Sequence, residues 1–255
     1  MRIDEAVEMV REQTGKAVAV CSLTGSRNQN LNSESSDHDM IAFVVPTLDD
    51  MYGRSEYFKE IKGKGFEINV HDLRKLPDLL WRSNPSALEL LFSEERHMSG
   101  GLDTLLYGNR ERIAGMNLPY LYNSSVGTCR HKMKSLEKGT ISTQHLVQMY
   151  GYDTKQGMHA LRMLHLLEWY ADDGRFETAI RFDGTDKGKE RREFLLSVRN
   201  GKFTLNEMKD AIENKIKDVE ERYKERYMNA EPDREMIETI RTKVKEFVLR
   251  GYGRE

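Results

Sequence analysis

The chain has 255 residues, 38% of them hydrophobic and 32% charged, with a formal net charge of −2. That length allows one large domain or two modest ones, and the balanced charge gives no global attraction to nucleic acid, so any such binding needs a local patch. Two cysteines make no disulfide framework, no apolar run of about 18 residues marks a membrane span and the N-terminus has no signal-peptide pattern, so a cytoplasmic protein is expected.

In chain order, residues 2–13 predict an amphipathic helix with Ile3, Ala6, Val7 and Val10 on one side, ended by Gly15. Ala17–Thr24 predicts an apolar strand, in which Cys21 is expected as a buried thiol. The polar stretch Ser26–Ser36 reads as a loop. Met40–Val45 predicts a second strand stopped by Pro46, and residues 49–64 read as irregular. Phe66–Val70 alternates apolar and polar residues, the pattern of a half-exposed strand. Asp72 then caps a helix kept short or kinked by Pro77, and Ala87–Phe92 predicts another helix. Farther on, a basic helix is expected over Arg130–Lys138. A strong helix runs from the Asp153 cap to about Ala171, with Gly174 after it. Two short β-type runs are expected at Phe176–Phe182 and Phe194–Val198. A capping box at Thr204 and Glu207 opens a helix to about Met228, and Pro232 opens the last one. The domain boundary is placed near residue 100, at Ser99-Gly100-Gly101.

The chemistry concentrates between the first two predicted strands. Gly25-Ser26 stands at the end of one, and after ten residues Asp37-His38-Asp39 opens the next. Residues two apart on a strand share a face, so Asp37 and Asp39 converge and His38 points away. Paired carboxylates are costly unless a cation lies between them, and magnesium takes one or two carboxylates plus substrate phosphates. Gly25 allows close backbone approach to a phosphate, Ser26 offers donors, and Arg27 brings a positive charge. Glu67, on the next strand and off its apolar face, is the candidate third acid, with Asp72 a rival whose position favours capping. Together these residues fit a two-metal site for nucleotidyl transfer.

Two cationic features lie downstream. Lys155, His159 and Arg162 recur at spacings of four and three, one face of a helix, and can contact a triphosphate or an accepting substrate. Arg130, His131, Lys132, Lys134 and Lys138 form a basic cluster that reads chiefly as a solvated face.

Gly25-Ser26, ten residues and Asp37-x-Asp39 resemble the signature of the DNA polymerase beta-like nucleotidyltransferase superfamily. More narrowly, the chain is similar to the predicted nucleotidyltransferases of bacteria and their phages. That likeness is carried by His71-Asp72-Leu73-Arg74-Lys75, Asn84-Pro85-Ser86-Ala87-Leu88-Glu89-Leu90-Leu91, Tyr152-Asp153-Thr154-Lys155 through His159-Ala160-Leu161-Arg162-Met163-Leu164, and Leu195-Leu196-Ser197-Val198-Arg199-Asn200-Gly201. The resemblance implies an α+β protein: a small mixed-sheet catalytic core with flanking helices over residues 1–100, and a mainly helical substrate- and nucleotide-binding domain over 101–255. It implies Mg2+ or Mn2+, a nucleoside triphosphate, triphosphate binding at Gly25 and Ser26, and metal binding at Asp37 and Asp39. It fixes neither the third acid nor the acceptor, which can be a nucleic-acid end, a protein or a small molecule. The chain departs from the pattern in carrying Asn28 and Asn30 where a small residue and a glycine are usual, and His38 where an apolar residue is usual. A non-catalytic nucleotide-binding module and a metal phosphohydrolase are the alternatives.

Overall fold

A computed structural model describes residues 1–252 except Ser35, Ser55, Ser142 and Asp183. The chain forms two compact units: Met1–Asn117 together with the segment from Pro232 onward, and Leu118–Glu231. The boundary expected near residue 100 falls inside the first unit.

The first unit is α+β. Its elements are α1 (Ile3–Thr14), β1 (Val18–Thr24), α2 (Gly25–Asn28), β2 (His38–Val44), α3 (Leu48–Tyr52), β3 (Phe58–Gly63), β4 (Phe66–Asp72), α4 (Leu76–Trp81), α5 (Pro85–Leu91), β5 (Arg96–Met98), α6 (Leu102–Leu106) and α7 (Arg110–Gly115). Among the described residues five strands form one mixed sheet in the order β3-β4-β2-β1-β5, with β2 and β4 parallel and the other pairs antiparallel. β1 is buried along its whole length, as its unbroken apolar run requires. One face of the sheet carries Cys21, Leu23, Met40, Ala42, Val44, Ile68 and Val70, packed with Ala6, Val7 and Val10 of α1. By strand alternation the opposite face carries Asp39, Ile41 and Phe43 of β2 and Glu67, Asn69 and His71 of β4. The Phe43 and His71 rings stack there at 5.6 Å.

Several local expectations hold for the stated reasons. Gly15 ends α1 in the left-handed conformation at φ 67°. Asp72 accepts from the Arg74 N–H and caps a 3-10 turn at Leu73–Lys75, after which Pro77 sits in the first turn of α4, so the two short helices replace one long one. Cys21 is buried, and desolvation pushes its thiol up to about 12. Two readings are corrected. The stretch 49–64 contains α3 and β3, and β3 escapes a pattern search because Ile61 is its one buried residue. The Ser26–Ser36 loop begins as the single turn α2.

The second unit is helical: α8 (Leu118–Lys134), α9 (Gln144–Tyr150), α10 (Thr154–Asp173), α11 (Phe176–Ile180), α12 (Asp186–Arg199) and α13 (Leu205–Met228). α10 is its centre, in contact with each of the others. The Asp153 carboxylate accepts from the Gln156 N–H at its start, and Gly174 ends it at φ 68°. Thr204 and Glu207 form the expected capping box of α13. The two β-type runs are helices instead. Phe176, Ala179 and Ile180 are buried at spacings of three and one, and Arg191, Leu195 and Val198 at spacings of four and three. The apolar alternation in Phe176–Phe182 also satisfies the helical period, and here the helical packing against α10 wins. Of the basic helix expected at Arg130–Lys138, the part to Lys134 is the end of the longer α8, whose Leu121, Tyr122, Ser125, Val126 and Cys129 line its buried side, and residues 135–138 are turn.

The final helix α14 (Arg234–Tyr252) belongs to the first unit. Asp233 and Glu235 pair with Arg112, and Arg241 pairs with Asp78. Among the described residues no helix is long and apolar enough to cross a membrane.

Candidate active site

Asp39 meets the Gly-Ser turn at the corner where β1 ends, α2 turns and β2 begins. Thr24 is paired with Asp39 across the β1–β2 ladder, and its hydroxyl donates to the Asp39 carbonyl at 3.1 Å. Gly25 follows at φ 67°, and a Cβ built there would stand 2.6 Å from Asp39 Oδ2. Glycine is therefore required twice over, by the left-handed backbone and by the carboxylate lying against it. The Gly-Ser turn and the second aspartate of the motif thus form one packed contact.

The parallel pairing of β2 and β4 puts Asp39 opposite Glu67, and paired residues share a face. Glu67 is half-buried. It accepts from Asn69 Nδ2 at 3.1 Å and pairs with Lys62 of β3 at 3.4 Å. Asp37 is exposed, just before β2, with its carboxylate beside Gly65 at the β3–β4 turn. His38 occupies the other face, near the N-terminal amine and the Gly65 carbonyl, at 3.5 and 3.4 Å. Among the described residues no three His, Cys, Asp or Glu side chains are gathered closely enough to hold one metal ion. The donor set is nonetheless all carboxylate oxygen, the chemistry of a hard divalent cation, and magnesium needs only one or two protein carboxylates when phosphates supply the rest. The residues fit such an ion.

The Ser26 hydroxyl is partly exposed and makes no hydrogen bond among the described residues. Arg27 turns back on its own loop, where its guanidinium donates to the Ser36 carbonyl at 2.9 and 2.6 Å and to the Asp37 carbonyl at 3.3 Å. It thereby ties down the segment that carries Asp37. The two departures in the loop are accommodated. Asn30 adopts φ 61°, a conformation asparagine tolerates, and Asn28 is buried with its Nδ2 donating to the Glu89 carbonyl at 3.0 Å.

Glu89 is the residue that sequence reasoning missed. It lies on α5, 4% exposed, and its two carboxylate oxygens accept from the Gly25 N–H at 2.9 Å and from Gln29 Nε2 at 2.6 Å. With the bond from Asn28 to its carbonyl, Glu89 grips three residues of the Gly25–Gln29 turn. The available signal was a lone acid inside the apolar run Ala87–Phe92: a charged residue is almost never fully buried without partners.

In the second unit, Lys155, His159 and Arg162 lie along α10 as their spacing requires. Arg162 is buried, whereas Lys155 and His159 are partly exposed. Burial first, then the charges of Arg162, Lys155, Lys132 and Arg199, hold the His159 imidazole well below its ordinary value.

A family model described as the RNA repair pathway DNA polymerase beta family, RlaP, matches residues 1–243. The chain belongs to that family. It is accordingly a nucleotidyltransferase-like protein, and the DNA polymerase beta-like resemblance read from Gly25-Ser26 and Asp37-x-Asp39 holds. Among solved structures it is similar to a nucleotidyltransferase-like protein from Exiguobacterium sibiricum 255-15, at 10% identity and a TM-score of 0.33 over 97% of this chain and 91% of that one. No curated protein matches the chain.

Proposed function

We propose that the protein is a magnesium- or manganese-dependent nucleotidyltransferase that moves a nucleoside monophosphate from a nucleoside triphosphate to an acceptor hydroxyl, with an RNA end as the acceptor that the family description favours. The observation that carries the reading is the contact of the Asp39 carboxylate with Gly25, with Glu67 paired to Asp39 across β2 and β4.

In this reading Asp37 and Asp39 would hold the metal while substrate phosphates complete its shell, and Glu67, not gathered with them into a three-acid cluster among the described residues, is the acid left to take a proton. The metal supplies charge neutralisation for the triphosphate and activation of the attacking oxygen. Gly25 keeps the turn close to Asp39 and Ser26 donates its hydroxyl to a phosphate oxygen. Arg27 positions Asp37 through the loop carbonyls, and Glu89 positions the turn through the Gly25 N–H. The acceptor oxygen forms a bond to the α-phosphorus, the bond from that phosphorus to the bridging oxygen breaks, and pyrophosphate leaves. The acceptor proton passes to a carboxylate, for which Glu67 is the candidate.

The test is incubation of the protein with an α-labelled nucleoside triphosphate, Mg2+ or Mn2+ and an RNA acceptor. The reading expects labelled acceptor and an equal amount of pyrophosphate. Release of inorganic phosphate without transfer would support the phosphohydrolase instead, and nucleotide binding with no product the non-catalytic module.

A further inference from the structure

Phe58 opens the edge strand β3 with its ring 56% exposed. An apolar edge set toward water adds nothing to the core and invites association. Yet this ring is braced. The β3–β4 register sets Phe58 beside His71, and the β2–β4 register sets His71 beside Phe43. The His71 ring lies 5.1 Å from that of Phe58 and 5.6 Å from that of Phe43, so the three rings stand in a row across the strands. Phe43 is fully buried, His71 half-buried and Phe58 open to solvent. The row anchors an exposed aromatic to the core.

The ring is on the face that carries the acids. Paired residues share a face, and the pairs Phe58–His71, Glu60–Asn69 and Lys62–Glu67 follow one another toward the partner of Glu67, which is Asp39. The strip between ring and acids is polar. Asn69 Nδ2 donates to Glu67 at 3.1 Å, and Lys62 pairs with Glu60 at 2.9 Å and with Glu67 at 3.4 Å. Glu60 and Lys62 are exposed, and Glu67 and Asn69 partly so. With Asp39, Glu60 and Glu67 set against Lys62, the strip has no surplus of positive charge with which to follow a phosphate backbone. An aromatic ring instead takes the flat face of a nucleobase by stacking, whatever the base, and sheet faces with exposed aromatics hold single-stranded RNA in this way.

We propose that Phe58, braced by His71 and Phe43, is a stacking platform for a base of the acceptor RNA, a few nucleotides back from the end that reacts. That the strand is the acceptor rests on the nucleotidyltransferase reading, whereas the platform rests on the rings. Spacing favours the acceptor over the incoming nucleotide. Glu67 and His71 are four residues apart on β4, about 13 Å at a rise of about 3.3 Å per residue. A nucleotide attacked at its α-phosphorus beside Glu67 has one sugar between that phosphorus and its base, too short a link to reach Phe58.

The test uses the full chain and a short single-stranded RNA with 2-aminopurine at one position, moved back step by step from the reacting end. Binding is followed by anisotropy and stacking by quenching of the 2-aminopurine emission. Quenching is expected at an internal position rather than at the terminal one. Phe58→Ala is expected to remove it and to weaken binding by about tenfold, with an unchanged melting temperature. Phe58→Leu, which keeps an apolar side chain against His71, is expected to weaken binding as much, and Phe58→Trp to retain it. If Phe58→Ala unfolds, the contrast between Phe58→Leu and Phe58→Trp carries the test. Equal RNA affinity in the wild type and Phe58→Leu overturns the platform. So does self-association that Phe58→Leu abolishes while RNA binding stays, which would make β3 an edge for a second copy. In turnover Phe58→Leu is expected to raise the KM for RNA and to leave that for nucleotide unchanged, and a rise confined to the nucleotide overturns the assignment to the acceptor. RNA binding through Phe58 with no nucleotidyl transfer upholds the platform and removes the proposed activity, whereas transfer whose KM for RNA ignores Phe58 does the reverse.

Discussion

In the first unit the acids stand on a sheet, and the pairing of β2 with β4 puts Asp39 opposite Glu67 whatever the side chains prefer. In the second unit the cations stand on helices, Lys155 and Arg162 along α10, against which α8 and α12 pack. The difference bears on how each site tolerates change. A sheet register is set by a whole ladder of backbone hydrogen bonds, so deleting one acid leaves the others in place. A helical cluster depends on side-chain packing, so its geometry and its charges are perturbed together.

The largest expected effect falls where the sheet and the turn touch. Gly25→Ala brings a Cβ to 2.6 Å from Asp39 Oδ2 at a backbone φ of 67°. Nucleotidyl transfer is expected to fall by about a hundredfold, and stability by about 1–3 kcal/mol. Near wild-type transfer by this variant would show that the Gly25–Asp39 contact is not the reacting corner.

Glu89 sharpens the comparison, since it is a helix residue that serves the sheet site. Glu89→Ala leaves the Gly25 N–H and Gln29 Nε2 without their acceptor and is expected to cost about 1–3 kcal/mol in chemical denaturation. The KM for nucleotide should rise more than kcat falls, because the turn is loosened while the acids stay. Glu89→Gln, which retains an acceptor for the Gly25 N–H, should recover most of the affinity. Equal loss of kcat and no change in KM would contradict a positioning role.

The smallest effect concerns acid stability of the helical unit. Hydrogen bonds from His165 and then Lys215 hold Glu168 at about 2 against an ordinary 4.5. A depressed carboxylate contributes stability that is present above about pH 4.5 and lost as the pH falls toward about 2. Glu168→Gln should therefore narrow the stability gap between pH 7 and pH 3 in thermal melts, and an unchanged gap would place the acid sensitivity elsewhere.

The same contrast governs what could be read in advance. The shared face of Asp39 and Glu67 was legible because strand alternation assigns a face from spacing alone. Lys155, His159 and Arg162 were legible because they share one helix. Glu89 lies 64 residues from the Gly25 N–H it accepts, and no local pattern encodes a contact at that separation. The edge strand β3 hid because an edge exposes most of its residues, and Phe176–Phe182 misled because its apolar residues satisfy both periods.

The central claim is that the carboxylate lying against Gly25 works on a nucleotide. Label transfer from an α-labelled nucleoside triphosphate, compared between the wild-type chain and Asp39→Asn in Mg2+ or Mn2+, tests it most directly. Transfer by the wild type and none by Asp39→Asn, with unchanged thermal stability, is the predicted result, and equal labelling by the two proteins would contradict it.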